Sequence, residues 1–191
     1  MHKNKITILE WDEQQFKDSK ETWTELLQRS SSDQLFLSWE WLYSWWSVFS
    51  VASSMQLKLF VAIDANNKLI GIAPLYITQL TTKKIFPTRR LQFIGGCWRG
   101  EATMRTELLE FVADKDRTQD IIRAFYQHIH NDKDWNEFVL ADLVAQSETY
   151  QILEQQKPLG KAYYRLAENY NSYYLPLTDD FESYLKQLGK K

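Results

Sequence analysis

The sequence predicts an α/β fold with a mixed sheet, and three observations carry that prediction. Two runs rich in β-branched and aliphatic residues, Leu57 to Ile63 and Leu69 to Ile77, flank Asp64-Ala-Asn-Asn-Lys68, which is the pattern of a β-hairpin. Further on, Ile121, Ile122, Phe125 and Ile129 fall on one face of a helix spanning Arg117 to Asn131. A strand at Leu108 to Val112 precedes that helix and one at Phe138 to Leu140 follows it, an order that suggests a parallel crossover. Ahead of all these stands the segment Phe36 to Phe49, with four of the chain's eight tryptophans, Trp39, Trp41, Trp45 and Trp46.

The elements follow in order. Asp18 and Glu21 have the spacing of a capping box, and Trp23, Leu26 and Leu27 then supply the i, i+3, i+4 contacts of a first helix ending near Arg29. A polar loop, residues 30–34, leads to the tryptophan helix, with Ser38 as N-cap and Glu40 at the positive end of the helix dipole. At 3.6 residues per turn Glu40, Ser44 and Ser47 form one narrow polar stripe. Trp39, Trp41, Leu42, Trp45, Trp46, Val48 and Phe49 cover nearly everything else, so the helix is expected to be mostly buried. Its rings are core on the usual habits of aromatics, or one or two of the tryptophans line a groove for a chain-like substrate.

In the second strand of the hairpin, Pro74 has no N–H and belongs at an edge or a bulge, where it bends the strand. Leu91 to Ile94 reads as another strand, closed by Gly95-Gly96, and a polar loop from Cys97 to Thr106 follows. A helix near Ser147 to Gln156 and strands at Ala162 to Leu166 and Tyr173 to Leu177 complete the sheet. From Thr178 to Lys191, Phe181, Tyr184, Leu185 and Leu188 share one side of a short amphipathic helix.

With 191 residues the chain is long enough to bury a core without disulfide or metal, and one domain is the expectation. The 23 basic and 25 acidic residues leave a net charge of -2, with no overall field to attract DNA or an anionic membrane. The single cysteine, Cys97, excludes an internal disulfide framework and agrees with a reducing compartment. No signal-peptide core and no run of membrane-spanning length occurs, so a soluble, cytoplasmic protein is expected. His128 and His130 point about 200 degrees apart on a helix and cannot chelate together, so no metal site is expected. Lys83-Lys84 and Arg89-Arg90 around Phe86 make a small basic patch, read as a solvated hairpin face rather than an RNA contact.

The helix with Phe36, Ser38, Trp39, Trp45 and Trp46, the hairpin with Gly71-Ile-Ala-Pro-Leu75, the strand end Leu91-Gln-Phe-Ile-Gly95, and Pro176 followed by Phe181-Glu-Ser-Tyr-Leu185 together carry a resemblance. In this order they resemble the amino-terminal half of the CelD/BcsL-type acetyltransferases of the GNAT superfamily, which are similar to the Fem aminoacyl-transferases. The resemblance implies a GNAT-like mixed, mainly antiparallel sheet flanked by helices over residues 1–177, with residues 178–191 opening a linker to a second GNAT-like domain. It implies that the second domain holds the acyl donor, acetyl-CoA or another acyl-CoA, and that this chain holds none. GNAT domains cradle the donor pyrophosphate on a Gln/Arg-x-x-Gly-x-Gly/Ala loop at a helix N-terminus. The nearest string here, Gln92-Phe-Ile-Gly-Gly-Cys97, departs from that pattern at Cys97 and starts within a strand, so no cofactor-binding residue is assigned.

Acyl transfer to an amine needs a group to orient the amine or take its proton. By resemblance, relatives carry an acidic residue just before a strand, matched here by Glu107; its ordinary alternative is a solvated carboxylate or an ion pair with Arg105. Trp98, Arg99, Glu101 and Arg105, in the same loop, are the substrate-binding candidates, the two arginines suiting a carboxylate or phosphate. Three functions compete. The chain is the non-donor, acceptor-side half of an N-acyltransferase; or a complete acyl-CoA-dependent N-acyltransferase acting as a homodimer; or a noncatalytic module binding a sugar, peptide or partner protein through its aromatics.

Overall fold

The computed structural model describes residues 5–51, 55–82, 86–97, 105–155 and 180–187. The chain divides into two compact units, Met1–Lys157 and Pro158–Lys191. The expected strands at 162–166 and 173–177, the boundary at 177 and Leu188 lie outside the described residues.

In the first unit β1 (Thr7–Trp11), α1 (Glu13–Asp18), α2 (Lys20–Gln28) and α3 (Trp39–Phe49) precede the hairpin of β2 (Gln56–Ile63) and β3 (Leu69–Thr82). Then come β4 (Phe86–Phe93), β5 (Val112–Ala113), α4 (Thr118–Asn131), β6 (Glu137–Val139) and α5 (Glu148–Gln155). The strands form one six-stranded sheet in the order β1-β2-β3-β4-β6, with β5 also pairing β3. Among the described strands only the β4–β6 pairing is parallel, so the sheet is mixed and mainly antiparallel, as expected. The crossover through α4 joins β5 to β6, but β6 finds its parallel neighbour in β4.

Three expectations are corrected. The capping box is at Asp12 and Gln15, opening α1, whereas α2 starts from Ser19 with no side-chain cap. The expected strand at Leu108 to Val112 shrinks to Val112–Ala113: Leu108 adopts a φ of 57°, outside extended backbone, and the Leu109 N–H donates to the Asp142 carbonyl instead of a ladder. The third concerns α3, where Leu42, Trp45 and Trp46 are buried but Val48 stands 64% exposed beside Ser44 and Ser47, widening the polar stripe into an open face.

The core lies between the sheet and its helices. The Trp23 indole donates to the Leu37 carbonyl at 2.9 Å and the Trp39 indole to the Phe16 carbonyl at 2.8 Å, so α1, α2 and α3 are tied by aromatic bodies with satisfied N–H groups. On α4, Ile121, Ile122, Phe125 and Ile129 are buried, as their spacing predicts. This helix sits so close to β3 that a Cβ on Gly71 would lie 2.5 Å from Ile121 Cγ2. Arg29 reaches Asp114 at 3.1 Å and the Leu69 carbonyl at 3.0 Å, pinning the end of α2 to β3 and β5. Lys58 is buried with Asp134 at 2.9 Å, Glu10 at 3.4 Å and Asp132 at 3.5 Å. Burial opposes its charge, but the hydrogen bond to Asp134 and the three carboxylates outweigh it and hold its pKa above the ordinary lysine value.

In the second unit α6 (Phe181–Gln187) is capped by Asp180, whose carboxylate accepts from the Ser183 N–H at 2.8 Å and hydroxyl at 2.7 Å. No described helix is long and apolar enough to cross a membrane.

Candidate functional site

One edge of β3 serves two strands in line. β4 pairs with Leu75–Thr82 and β5 with Gly71 and Ile72. Between them the sheet opens, and Pro74 gives the reason. Its carbonyl accepts the Ile94 N–H at 2.8 Å, so residues 74 and 94 face each other as a hydrogen-bonded pair. In such a pair both residues donate, and proline has no hydrogen to return. The β4 ladder therefore ends there, and the chain leaves the sheet through Gly95 and Gly96. Pro74 thus lies within the interior strand β3, not at the edge strand or bulge expected for it, at the point where the β4 ladder ends.

Gly95 turns the chain with a φ of 110°, a region that L side chains rarely adopt, and its carbonyl accepts the Thr106 N–H at 2.9 Å. Beneath the turn lies a buried polar network. The Tyr76 hydroxyl donates to the Gly96 carbonyl at 2.8 Å and accepts from Gln92 Nε2 at 2.9 Å, and the same amide lies 3.9 Å from Cys97 Sγ. Burial, and then the adjoining Cys97 thiol, push the Tyr76 pKa up, so it stays a neutral phenol. Gln92 is thus inside a strand with its amide bonded to Tyr76, and no helix begins between Gln92 and Cys97. The geometry of the glycine string is that of a turn.

Across from the turn stands α3. The Trp41 indole donates to Thr106 Oγ1 at 2.9 Å, and the Trp45 ring lies 5.6 Å from that of Tyr76. Trp41, with Leu35, Val48, Phe49 and an edge of the buried Trp45, lines an open, mainly apolar groove of about 370 Å³, bordered also by Ser38, Glu40 and Ser44. Leu35 is 60% exposed. Core and groove are therefore two sides of one aromatic wall. Glu40 pairs with Lys20 at 2.9 Å, and that hydrogen bond holds its carboxyl below the usual glutamate range.

The sequence-derived candidates fall out unevenly. Arg105 is exposed and paired with Asp142, whose side chain is mostly buried. Glu107 is exposed, and Trp98, Arg99 and Glu101 lie outside the described residues. The carboxyl withdrawn from solvent near β5 is instead Glu110, which sequence reasoning passed over. Tyr76 was missed as well; only its place two residues after Pro74 hinted at it. Among the described residues no group of His, Cys, Asp and Glu is arranged to hold a metal ion. The His128 ring packs on Phe60 at 4.9 Å and His130 on Tyr126 at 6.0 Å. Of the basic patch, Arg89 donates to Gln56 and the Asp134 carbonyl, and Arg90 pairs with Glu137 at 2.8 Å. Lys83 and Lys84 lie outside the described residues.

No protein-family model matches the chain, and no curated protein matches it. Solved structures that overlap it include the aminoglycoside antibiotic 6'-N-acetyltransferase AAC(6')-Ih from Acinetobacter baumannii, at 11% identity over 86% of this chain and 100% of that one, with a TM-score of 0.41. Another is glucosamine-6-phosphate N-acetyltransferase from Arabidopsis thaliana, at 8% identity over 88% of this chain and 100% of that one, with a TM-score of 0.40.

Proposed function

We propose that this chain is the acceptor-side half of a GNAT-type N-acyltransferase of the CelD/BcsL kind, completed by a second GNAT-like domain that brings the acyl donor. The observation that carries the reading is the groove on α3. It has the size of a small-molecule site, it is walled by Trp41 and Trp45, and the same wall is bonded through Thr106 to the loop that holds Glu107. The order of sequence motifs supports it independently.

In this reading the groove holds the apolar body of an amine acceptor. Glu107, with Trp98, Arg99, Glu101 and Arg105, orients the amine and takes up its proton as the acyl group arrives from acetyl-CoA or another acyl-CoA on the second domain. Arg105 lies at the loop surface with its guanidinium on Asp142, beside Glu107 in the chain.

The test is calorimetry and thermal shift on the purified chain. Acetyl-CoA is expected to give neither heat nor stabilisation up to millimolar concentration. Straight-chain primary amines are expected to raise the melting temperature progressively with chain length, and Val48→Glu to abolish the rise. Saturable one-to-one binding of acetyl-CoA overturns the half-enzyme reading, because the chain then has a donor site of its own. Amine binding that no added GNAT domain ever converts into acylation leaves a recognition module.

A further inference from the structure

Residues 105–109 carry Glu107 between anchored neighbours. The Thr106 N–H donates to the Gly95 carbonyl at 2.9 Å, and the Thr106 hydroxyl accepts the Trp41 indole N–H at 2.9 Å. One residue from elsewhere in the chain, Asp142, then reaches both ends of the segment. Its Oδ1 accepts from Arg105 Nε at 2.7 Å and also from Arg105 Nη2, and its backbone carbonyl accepts the Leu109 N–H at 3.1 Å. The Asp142 side chain is 10% exposed and that of Arg105 65%, so the anchor is inside and the arm outside.

The backbone on both sides of this clamp is left-handed: Asp142 has a φ of 61° and Leu108 a φ of 57°. Aspartate and asparagine tolerate that region better than other side chains, whereas a leucine there is strained. Such strain persists only where the surroundings over-determine it. They do so here, for Leu109 after the strained residue is buried and bonded to Asp142, and Thr106 before it is buried and bonded to Gly95. Between Thr106 and Leu109 only Glu107 and Leu108 reach solvent. The strained residue is thus the immediate neighbour of the candidate carboxylate.

We propose that Asp142 is a positioning residue that holds Glu107 in place for the acceptor's amine, an inference that rests on the reading of Glu107 given above. Arg105 serves the amine through this clamp. Charge signs separate the clamp from direct action on an ammonium ligand. Acting directly, Arg105 would repel the ligand and Asp142 attract it, so Arg105→Met would strengthen binding and Asp142→Asn weaken it. The clamp requires the reverse: Arg105→Met removes the arm, whereas Asp142→Asn keeps an oxygen for Arg105 and a residue suited to left-handed backbone.

The test compares the calorimetric affinities of n-octylamine and 1-octanol for the purified chain, since their ratio reads the head group and cancels the apolar part. In the unaltered chain the amine is expected to bind about fivefold tighter, the upper value for an exposed ion pair. Glu107→Gln should bring the ratio to unity, which checks the reading itself. Asp142→Ala and Arg105→Met should bring it toward unity with octanol affinity unchanged, and Asp142→Asn should keep the parent ratio. Without ligand, protection of the Leu109 amide from hydrogen exchange should fall about tenfold in Asp142→Ala and hold in Asp142→Asn. A ratio unmoved by Glu107→Gln, or no binding of either compound, overturns the reading and the inference together. A ratio lost in Glu107→Gln but kept in Asp142→Ala and Arg105→Met overturns the clamp alone. If Asp142→Ala does not fold, the other two variants decide: a ratio raised in Arg105→Met, or lost in Asp142→Asn, overturns the clamp.

Discussion

Two positions three residues apart on one edge of β3 behave in opposite ways. At Gly71 the edge of β3 is closed: β5 pairs with it, and α4 presses so near that Ile121 fills the space a side chain would need. At Pro74 the same edge is open, because the residue that should return a hydrogen bond to Ile94 has none to give. A glycine admits a helix at one position and a proline releases a loop at the other. The lesson is that the opening beside the candidate site is written into the strand's backbone, and the loop that leaves there follows from it.

The largest effect should come from breaking the closed position. In Gly71→Ala the new methyl meets the fully buried Ile121 and Phe125, at 2.5 and 3.0 Å before any shift, and α4 must move away from the sheet. Overpacking of this kind costs about 3 kcal/mol, the upper part of its usual range. Urea unfolding should show a lower midpoint at unchanged slope. A midpoint within experimental error of the parent would mean that α4 is not seated on Gly71.

Near the open position, Tyr76→Phe should cost about 2 kcal/mol, since it strips the Gly96 carbonyl and the Gln92 amide of a partner in a site closed to water. A double-mutant cycle with Gln92→Leu measures the coupling between the two residues. If Tyr76 and Gln92 act as one network, Gln92→Leu costs less when the Tyr76 hydroxyl has already been removed than it does alone. Strict additivity would show two unrelated bonds.

How much of this was legible in the sequence depends on periodicity. The hairpin, α3 and α4 were readable because repeats of 2 and 3.6 residues run for several turns or rungs. β1 was not, for Thr7 to Trp11 alternates weakly and is held by its register against Leu59–Ile63, which no local pattern announces. The short β5 was over-read because Leu108 to Val112 is apolar enough for a strand, yet Leu108 turns the chain out of extended backbone. For Pro74 the missing donor was readable, being a property of the residue itself, but its place was not: it sits in the interior strand β3 rather than at an edge or bulge. The choice between Glu107 and Glu110 was not readable: both are loop acids before a strand, and only tertiary packing buries one and leaves the other exposed.

Gly95→Ala tests the turn next to the break. Placing a Cβ at a φ of 110°, with Thr106 and Leu109 at 3.1 and 3.2 Å, should cost about 1–2 kcal/mol. The fluorescence of Trp41, whose indole is bonded to Thr106, should shift with it. A destabilised protein with unchanged emission would separate the turn from the aromatic wall and weaken the link between groove and loop.

The smallest change in stability should come from Pro74→Ala, which asks whether proline alone opens the edge. The substitution restores an N–H facing Ile94, worth about 0.5–1.5 kcal/mol if the bond forms. It also frees the unfolded chain, which costs about 0.4–1 kcal/mol, so the two terms nearly cancel in the unfolding midpoint. Hydrogen exchange separates what the midpoint cannot. If proline alone opens the edge, the new amide at position 74 closes the pair with Ile94 and is protected to the level of the β4 ladder, and the opening shortens by one rung. If that amide exchanges freely, the loop holds the edge apart through the Thr106 to Gly95 bond, and the opening belongs to the loop after all.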